Sequence, residues 1–241
     1  MTDETTHFGF REVPVAEKAK RVRAVFDSVA ARYDLMNDLM SAGVHRLWKR
    51  AFVHEAAPRA GEAFLDLAGG TGDIAFALDD ARARVRVCDI NEAMLRQGRA
   101  RAMLRKLDWV TGDAMALPFA PATFDAATIA FGLRNVTDPD AALREIRRVL
   151  KPGGRFLCLE FSHVALPLLD KLYDVYSFSV LPRLGAWVAG DADSYRYLAE
   201  SIRRFPPQAE LARRMTQAGF ALARWRNLSG GIVAIHSGWR T

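Results

Sequence analysis

The chain has 241 residues and a mass of 26.8 kDa, enough for one large domain that buries roughly 70–75% of its unfolded surface behind a single core. Half of the residues are hydrophobic and 26% are charged, which excludes a disordered or fibrous chain. A formal charge of +6 and a pI near 9.6 suit a partner that carries phosphate, nucleic acid or anionic lipid, without choosing between them.

The polar start, Met1–Pro14, lacks the short apolar core of a secretory signal, so export is not expected. Ala16–Met40 then reads as a helix with Val22, Val25, Phe26, Val29 and Tyr33 near one face, and a second helix, Val44–Ala56, follows a break at Gly43. From Ala63 the pattern changes to short apolar runs alternating with helical stretches, the signature of βαβ units and a parallel sheet. The expected strands are Ala63–Leu67, Arg84–Cys88, Asp108–Thr111, Phe124–Phe131 and Arg155–Glu160. Helices fill the gaps at Asp73–Asp80, at Asn91–Met103 with Asn91 as N-cap, and at Pro139–Leu150, where Leu143, Ile146, Val149 and Leu150 share a face. Lys151-Pro152-Gly153-Gly154 stops the last of these, because proline cannot extend a helix and glycine can turn back.

Cys88 and Cys158, the only cysteines, fall inside two of these strands, so a reducing compartment is expected and no disulfide framework. An apolar helical insertion over 164–204 is longer than a simple crossover needs and is expected to lid a site; Leu166, Leu168, Leu169, Leu172, Phe178, Val180 and Leu181 supply its apolar surface. Its richest part, Val164–Ala189, is broken by Asp170, Lys171, Asp174, Arg183, Pro167 and Pro182, so it does not qualify as a membrane span. The chain closes with two strands, Ala221–Asn227 and Gly231–Ser237, around a Ser229-Gly230-Gly231 turn.

The chemistry-bearing residues cluster at strand ends. Strand one runs into Asp66-Leu67-Ala68-Gly69-Gly70-Thr71-Gly72-Asp73, where bare backbone meets a helix N-terminus and can approach a nucleotide-like ligand. Taken alone this loop also fits the loose dinucleotide pattern, so it leaves a dehydrogenase open. Asp89, with Ile90 beside it at the end of strand two, is placed to accept the ribose hydroxyls of an adenosine under either reading. The loops after strands three and four separate the two readings. Asp113-Ala114-Met115-Ala116-Leu117-Pro118-Phe119 followed by Phe124-Asp125 resembles the adenine-side loop and fourth strand of class I methyltransferases, and Arg148–Gly154 resembles their turn before strand five.

Longer strings are more specific: Thr5–Phe10, Val29–Ser41 with its Arg32-Tyr33-Asp34 core, His45–Arg50, Phe131-Gly132-Leu133-Arg134-Asn135-Val136-Thr137-Asp138, and Asp191–Ile202. Together they resemble the ubiquinone/menaquinone biosynthesis C-methyltransferase family over almost the whole chain. The resemblance implies a Rossmann-like α/β class I sheet, mostly parallel and seven-stranded, with N-terminal helices and a helical insertion after strand five. It also implies one methyltransferase domain over 1–241: a helical cap over 1–60, a cofactor-binding core over 61–162, a helical substrate lid over 163–205, and a C-terminal helix and strand pair over 206–241.

By the same resemblance S-adenosyl-L-methionine is the cofactor, contacted by Thr71, Asp89 and the pair Asp113-Ala114, within a site that also takes in Asp66, Gly69, Gly70, Gly72 and Ile90. Ala130 stands where relatives often carry serine, so no hydroxyl contact is expected there. The implied reaction methylates a ring carbon of a demethylated prenyl benzoquinol or naphthoquinol, and needs no metal. Arg134 and Asn135 follow strand four at the carboxyl edge of the sheet and are the expected substrate-side residues, with Tyr33, Asp34 and Tyr195 closing over the ring. The alternative for Arg134 is a cap or a pair with Asp138. Expected partners are the quinol, a peripheral membrane contact, and a homodimer or quinone-biosynthesis assembly, with no nucleic acid; the expected location is cytoplasmic, at the inner face of a membrane. A nucleic-acid methyltransferase, a dehydrogenase and a noncatalytic cofactor binder are the competing readings.

Overall fold

Apolar runs alternating with amphipathic helices can bury both kinds of surface by placing helices on the two faces of one parallel sheet. The computed structural model describes residues 5–29, 37, 38, 41, 43–164 and 192–241. Its central strands are β3 (Ala63–Leu67), β4 (Arg84–Asp89), β5 (Asp108–Thr111), β6 (Phe124–Ala130) and β7 (Leu150–Phe161), completed by β8 (Phe220–Leu228) and β9 (Val233–Arg240). The seven strands lie in the order β5-β4-β3-β6-β7-β9-β8, and β9 alone runs opposite to the other six. The order in which the strands are added reverses between the parallel neighbours β3 and β6, which opens a crevice at their carboxyl ends.

Alternate residues of each strand feed two cores. Phe64, Val85, Val87, Leu157 and Leu159 pack on one face against α2 (His45–Ala56) and α3 (Asp73–Asp80), through Phe52, Ala56, Ile74 and Leu78. Leu65, Leu67, Ile129, Phe156 and Cys158 pack on the other against α5 (Pro139–Val149) and α7 (Gln208–Gln217), through Leu143, Ile146, Leu211 and Met215. The α4 helix (Glu92–Ala102) starts at its Asn91 cap, whose side chain accepts the Met94 N–H at 3.0 Å. The α5 helix starts at Asp138, which accepts from Asp140 and Ala141, with Pro139 as its first residue. It stops at Val149, but the following Lys151–Gly154 is more than a stop: these residues bulge out of β7 between Leu150, opposite Phe124, and Arg155, opposite Ala126.

The N-terminus differs from expectation in one respect. Thr5–Phe8 (β1) and Arg11–Pro14 (β2) form an antiparallel hairpin turned at Gly9, where φ is +61°. A side chain there would collide with Glu200, which accepts the Phe10 N–H at 3.0 Å, while the Phe8 ring stacks on Tyr197 at 4.1 Å. Strands this short need outside support, which comes from the helix that follows them and from these two contacts to α6 (Ala192–Arg204). Helix α1 spans Val15–Val29, and the rest of the helix expected to Met40 falls mostly on residues 30–36, 39 and 40, outside the described residues. The expected insertion is described only in its last part, α6; 165–191, with all of its named leucines, Phe178 and Val180, lie outside the described residues.

Candidate functional site

Two adjoining cavities open at the carboxyl edge of the sheet. The larger is an open cleft of about 840 Å³, floored by Leu67, Ala68, Gly70, Asp89 and Ile90, walled by Asp113, Ala114 and Met115 on one side, and roofed by Ala19, Val22, Arg23 and Phe26 of α1. The smaller, about 340 Å³, lies on the other side of the glycine loop among Lys49, Asp66, Gly69, Thr71, Asp73, Ile74 and Ala130. Ala68 and Phe131 line both and form their common wall.

The loop between β3 and α3 has this shape because it lies hard against β4. A Cβ on Gly69 would come 2.5 Å from Val87 Cγ1 and 2.9 Å from Asp66 Oδ2, so only glycine fits. Asp89, at the tip of β4, accepts the Gly70 N–H at 2.9 Å through Oδ2 and the Asn91 N–H at 2.8 Å through Oδ1. Burial pushes its pKa up to about 6 against those stabilising donors, so near neutral pH it remains mainly a carboxylate. Asp113 Oδ1 accepts the Met115 N–H at 2.9 Å, which turns the loop after β5 toward the cleft. Asn91 Nδ2 donates to Asp27 of α1 at 2.9 Å and so ties the roof to the floor.

Asp66 is buried. Thr128 donates its hydroxyl to Oδ1 at 2.8 Å, Oδ2 has no hydrogen-bond partner, and burial pushes the pKa up to about 7.

At the end of β6 the backbone of Phe131 takes a left-handed φ of +56°, which costs on the order of 1–3 kcal/mol for a residue with a side chain. Its N–H donates to Leu159 at 2.7 Å, its carbonyl accepts Arg134 Nη1 at 2.6 Å, and its ring packs 4.9 Å from that of Phe161. Arg134 Nη1 also donates to Glu160 Oε1 at 2.7 Å, in a pair whose side chains are 4% and 0% exposed, with the guanidinium 5.5 Å from the Phe161 ring centroid. Burial raises the Glu160 pKa, with Arg134 the largest opposing influence. The next residue, Asn135, lines the large cleft and accepts the Tyr197 hydroxyl at 3.0 Å.

The ubiE/COQ5 methyltransferase family profile matches residues 14–240, nearly the entire chain. The chain belongs to this family. It is 56% identical, over the full length of both proteins, to the ubiquinone/menaquinone biosynthesis C-methyltransferase UbiE of Roseobacter denitrificans. It is 58% identical to the UbiE of Paracoccus denitrificans over 98% of this chain and 96% of that one. Among solved structures it resembles a S-adenosylmethionine-dependent methyltransferase of Thermotoga maritima, with a TM-score of 0.65 at 19% identity over 90% of this chain and 99% of that chain. A S-adenosylmethionine-dependent methyltransferase of Aquifex aeolicus gives 0.58 at 15% identity over 80% and 89%. At these identities the structures establish the fold, an α/β Rossmann-like methyltransferase sheet.

In this family member the expected cofactor residues divide between the two cavities. Gly70, Asp89, Ile90, Asp113 and Ala114 line the large cleft, while Asp66, Gly69, Thr71 and Ala130 line the small pocket. Gly72 lines neither; it shapes the loop from behind, where a Cβ would meet the Trp109 ring at 2.8 Å. Of the expected substrate-side residues, Asn135 reaches the large cleft. Arg134 is in the wall of neither cavity and pairs with Glu160 rather than Asp138, which caps α5 instead. Tyr195 is 1% exposed, packed in the core from the buried face of α6. Tyr33 and Asp34 lie outside the described residues. Sequence reasoning missed Lys49, Asn91 as a tie to α1, and Glu160. The sequence carries a signal only for Lys49, inside the family-like string His45–Arg50.

Proposed function

We propose that the protein transfers the methyl group of S-adenosylmethionine to a ring carbon of a prenylated benzoquinol or naphthoquinol, a step of the ubiquinone and menaquinone biosynthesis for which its 56–58% identical relatives are named. The observation that carries the reading is the common wall at Ala68 and Phe131, where a ligand lying across both cavities would bring its middle to the carboxyl edge of the sheet.

The residues present fit the cofactor. The unpartnered Asp66 Oδ2 and the glycine loop, too tight for any side chain at Gly69, leave polar atoms and bare backbone for a ligand to meet. Asp89 would accept the ribose hydroxyls, with Ile90 beside it and Asp113 and Ala114 at the adenine edge. Asp66, Gly69 and Thr71 would surround the methionine end; Ala130, without a hydroxyl, would supply contact only. When bound, S-adenosylmethionine supplies an electrophilic methyl group on a sulfonium centre.

The chain's own task is to orient the quinol and stabilise its charge. With the Tyr197 hydroxyl on Asn135 Oδ1, the Asn135 amide N–H groups remain for a quinol oxygen, whose loss of a proton raises electron density on the adjacent ring carbon. Arg134 acts through the turn that it holds, by its bonds to Glu160 and to the Phe131 carbonyl. Tyr195, on the buried face of α6, anchors that helix in the core, and Tyr33 and Asp34 are proposed to close over the ring.

Incubation with methyl-labelled S-adenosylmethionine and reduced, demethylated quinols should yield a product labelled on a ring carbon. Transfer to other small molecules or nucleic acid, with none to quinols, would refute the reading.

Among the described residues no helix is long and apolar enough to cross a membrane. The protein's excess of basic residues supports peripheral contact at an anionic, cytoplasmic membrane face, where a prenyl tail is available. Flotation with anionic vesicles at low salt tests this, and indifference both to vesicles and to the presence of a tail on the quinol counts against it.

A further inference from the structure

A quinol that has lost a proton needs a counter-charge, and the cation first expected to supply it is engaged elsewhere: Arg134 lies in the wall of neither cavity and pairs with Glu160. Among the described residues, the charged side chains that line the large cleft are Asp89 and Asp113 on the adenosine side and, in the roof, Arg23. Arg23 is exposed and makes neither an ion pair nor a hydrogen bond among the described residues. Its helical partner four residues on, Asp27, accepts from Asn91 Nδ2 at 2.9 Å instead, and the neighbouring Arg21 pairs with Glu17 at 2.7 Å. Helix α1 is tied down on either side of Arg23: Asp27 to the adenosine floor, and the buried Lys18 to the Val136 carbonyl, next to Asn135, at 2.9 Å. On the elements packed against α1, Glu92 is tied to Arg99 and Thr111, Asp193 to Arg196, Glu200 to the Phe10 N–H and His7 to Arg204, while Lys20, Arg11 and Glu12 are exposed. A free guanidinium beside the apolar walls of Val22, Phe26, Met115 and Phe131 attracts an anion more strongly than it would in water. Adenosine has no negative charge to offer; a quinolate has one.

We infer that Arg23 is the counter-charge of the substrate and that the large cleft holds the quinol as its monoanion. This rests on the reading of the cleft as a quinol site. The quinol hydroxyl gives its proton to solvent water, and the negative charge spreads from oxygen to the adjacent ring carbon. The bond from that carbon to the methyl group forms as the methyl–sulfur bond breaks. The carbon then loses its hydrogen to water as a proton and the ring oxygen takes a proton back, so one proton is released for each methyl group transferred. Arg23 stays protonated throughout; its part is to lower the pH at which the bound quinol ionises.

The test is the single-turnover rate of methylation from about pH 7 to about 10, with saturating S-adenosylmethionine and reduced, demethylated quinol, for wild type, Arg23→Gln and Arg23→Lys. Across this range Asp89, near 6, is already ionised and Cys88, near 12, remains a thiol, so neither lining group imitates the quinol. Removing one nearby cation shifts an ionisation by about one pH unit, so Arg23→Gln should be about tenfold slower near pH 7 and approach the wild-type rate toward about pH 10. Arg23→Lys keeps the charge and should keep the wild-type profile. Calorimetry with S-adenosylhomocysteine should find Arg23→Gln within about twofold of wild type, which also shows it to be folded; should it not fold, Arg23→Ala should give the same profile. A loss that is constant across pH would mean that Arg23 only braces the roof, a matching loss of S-adenosylhomocysteine affinity that it serves the cofactor, and no loss at any pH that it plays no part; each overturns the inference. Failure of the wild type to methylate quinols at any pH would instead overturn the quinol reading beneath it.

Discussion

Replacing Arg134 by Met would keep an apolar stem near Phe161 while removing the donors to Glu160 and to the Phe131 carbonyl. Both partners of the ion pair are buried, at 4% and 0% side-chain exposure, so the change leaves a carboxylate in the core with no counter-charge. Breaking such a pair from one side costs about 3–5 kcal/mol, whereas an exposed pair would cost about 1 kcal/mol or less. Removing the charge from both sides, in Arg134→Met/Glu160→Gln, should bring stability back to within about 1–2 kcal/mol of wild type. Urea unfolding followed by the fluorescence of the five tryptophans measures all three proteins.

Acid provides a second readout. Burial already raises the Glu160 pKa, and losing Arg134, its main opposing influence, moves it higher. A carboxyl group raised above its unfolded value adds stability while protonated and loses that contribution as pH rises through the folded value, so the deficit of Arg134→Met should be smaller near pH 5 than near pH 8. Turnover should fall by about tenfold or more in single and double variants alike, because neither variant can hold the Phe131–Asn135 turn. A single-variant deficit below about 1 kcal/mol, or a double variant less stable than the single, would refute the reasoning.

Three further changes probe the cofactor side. Asp89→Ala should weaken S-adenosylhomocysteine binding by about 1.5–3 kcal/mol in a folded protein, measured by calorimetry, and unchanged affinity would remove Asp89 from the site. Asp66, pushed up to about 7 by burial with Asp89 and Asp73 adding to the rise, Thr128 opposing it and Lys49 across the pocket, should release its proton when an ammonium group binds. S-adenosylhomocysteine affinity should therefore climb as pH rises through about 7 and level off above it, and a flat profile from about pH 6.5 to 8 would count against that contact. Gly69→Ala drives a methyl group into Val87 and Asp66 and should lower stability by about 1–3 kcal/mol along with cofactor affinity; a thermal midpoint equal to wild type would show that the loop can relax.

The strands that carry the site were legible in the sequence because short apolar-rich runs alternate there with helical stretches, the pattern of βαβ units. The expected Ala63–Leu67 and Asp108–Thr111 coincide with β3 and β5, and the Asn91 and Asp138 caps and the glycine loop announce helix starts by residue type alone. Chain order and loop chemistry then locate Asp66, Thr71, Asp89 and Asp113 at strand ends, since a ligand at the carboxyl edge can be met only there.

Tertiary packing decided the rest. The hairpin at Thr5–Pro14 is too short to form on its own preferences and depends on Tyr197 and Glu200, almost two hundred residues away. Arg134 had a nearby candidate in Asp138 but found Glu160 on β7, because β6 and β7 lie side by side and enclose the guanidinium where only a buried carboxylate can balance it. Lys49 looks like one more solvated charge on α2 until α3 brings Asp73 beneath it. Periodicity and residue type report on neighbours within a turn or a strand; which charges meet across the fold depends on how the elements stack, and no local pattern carries that.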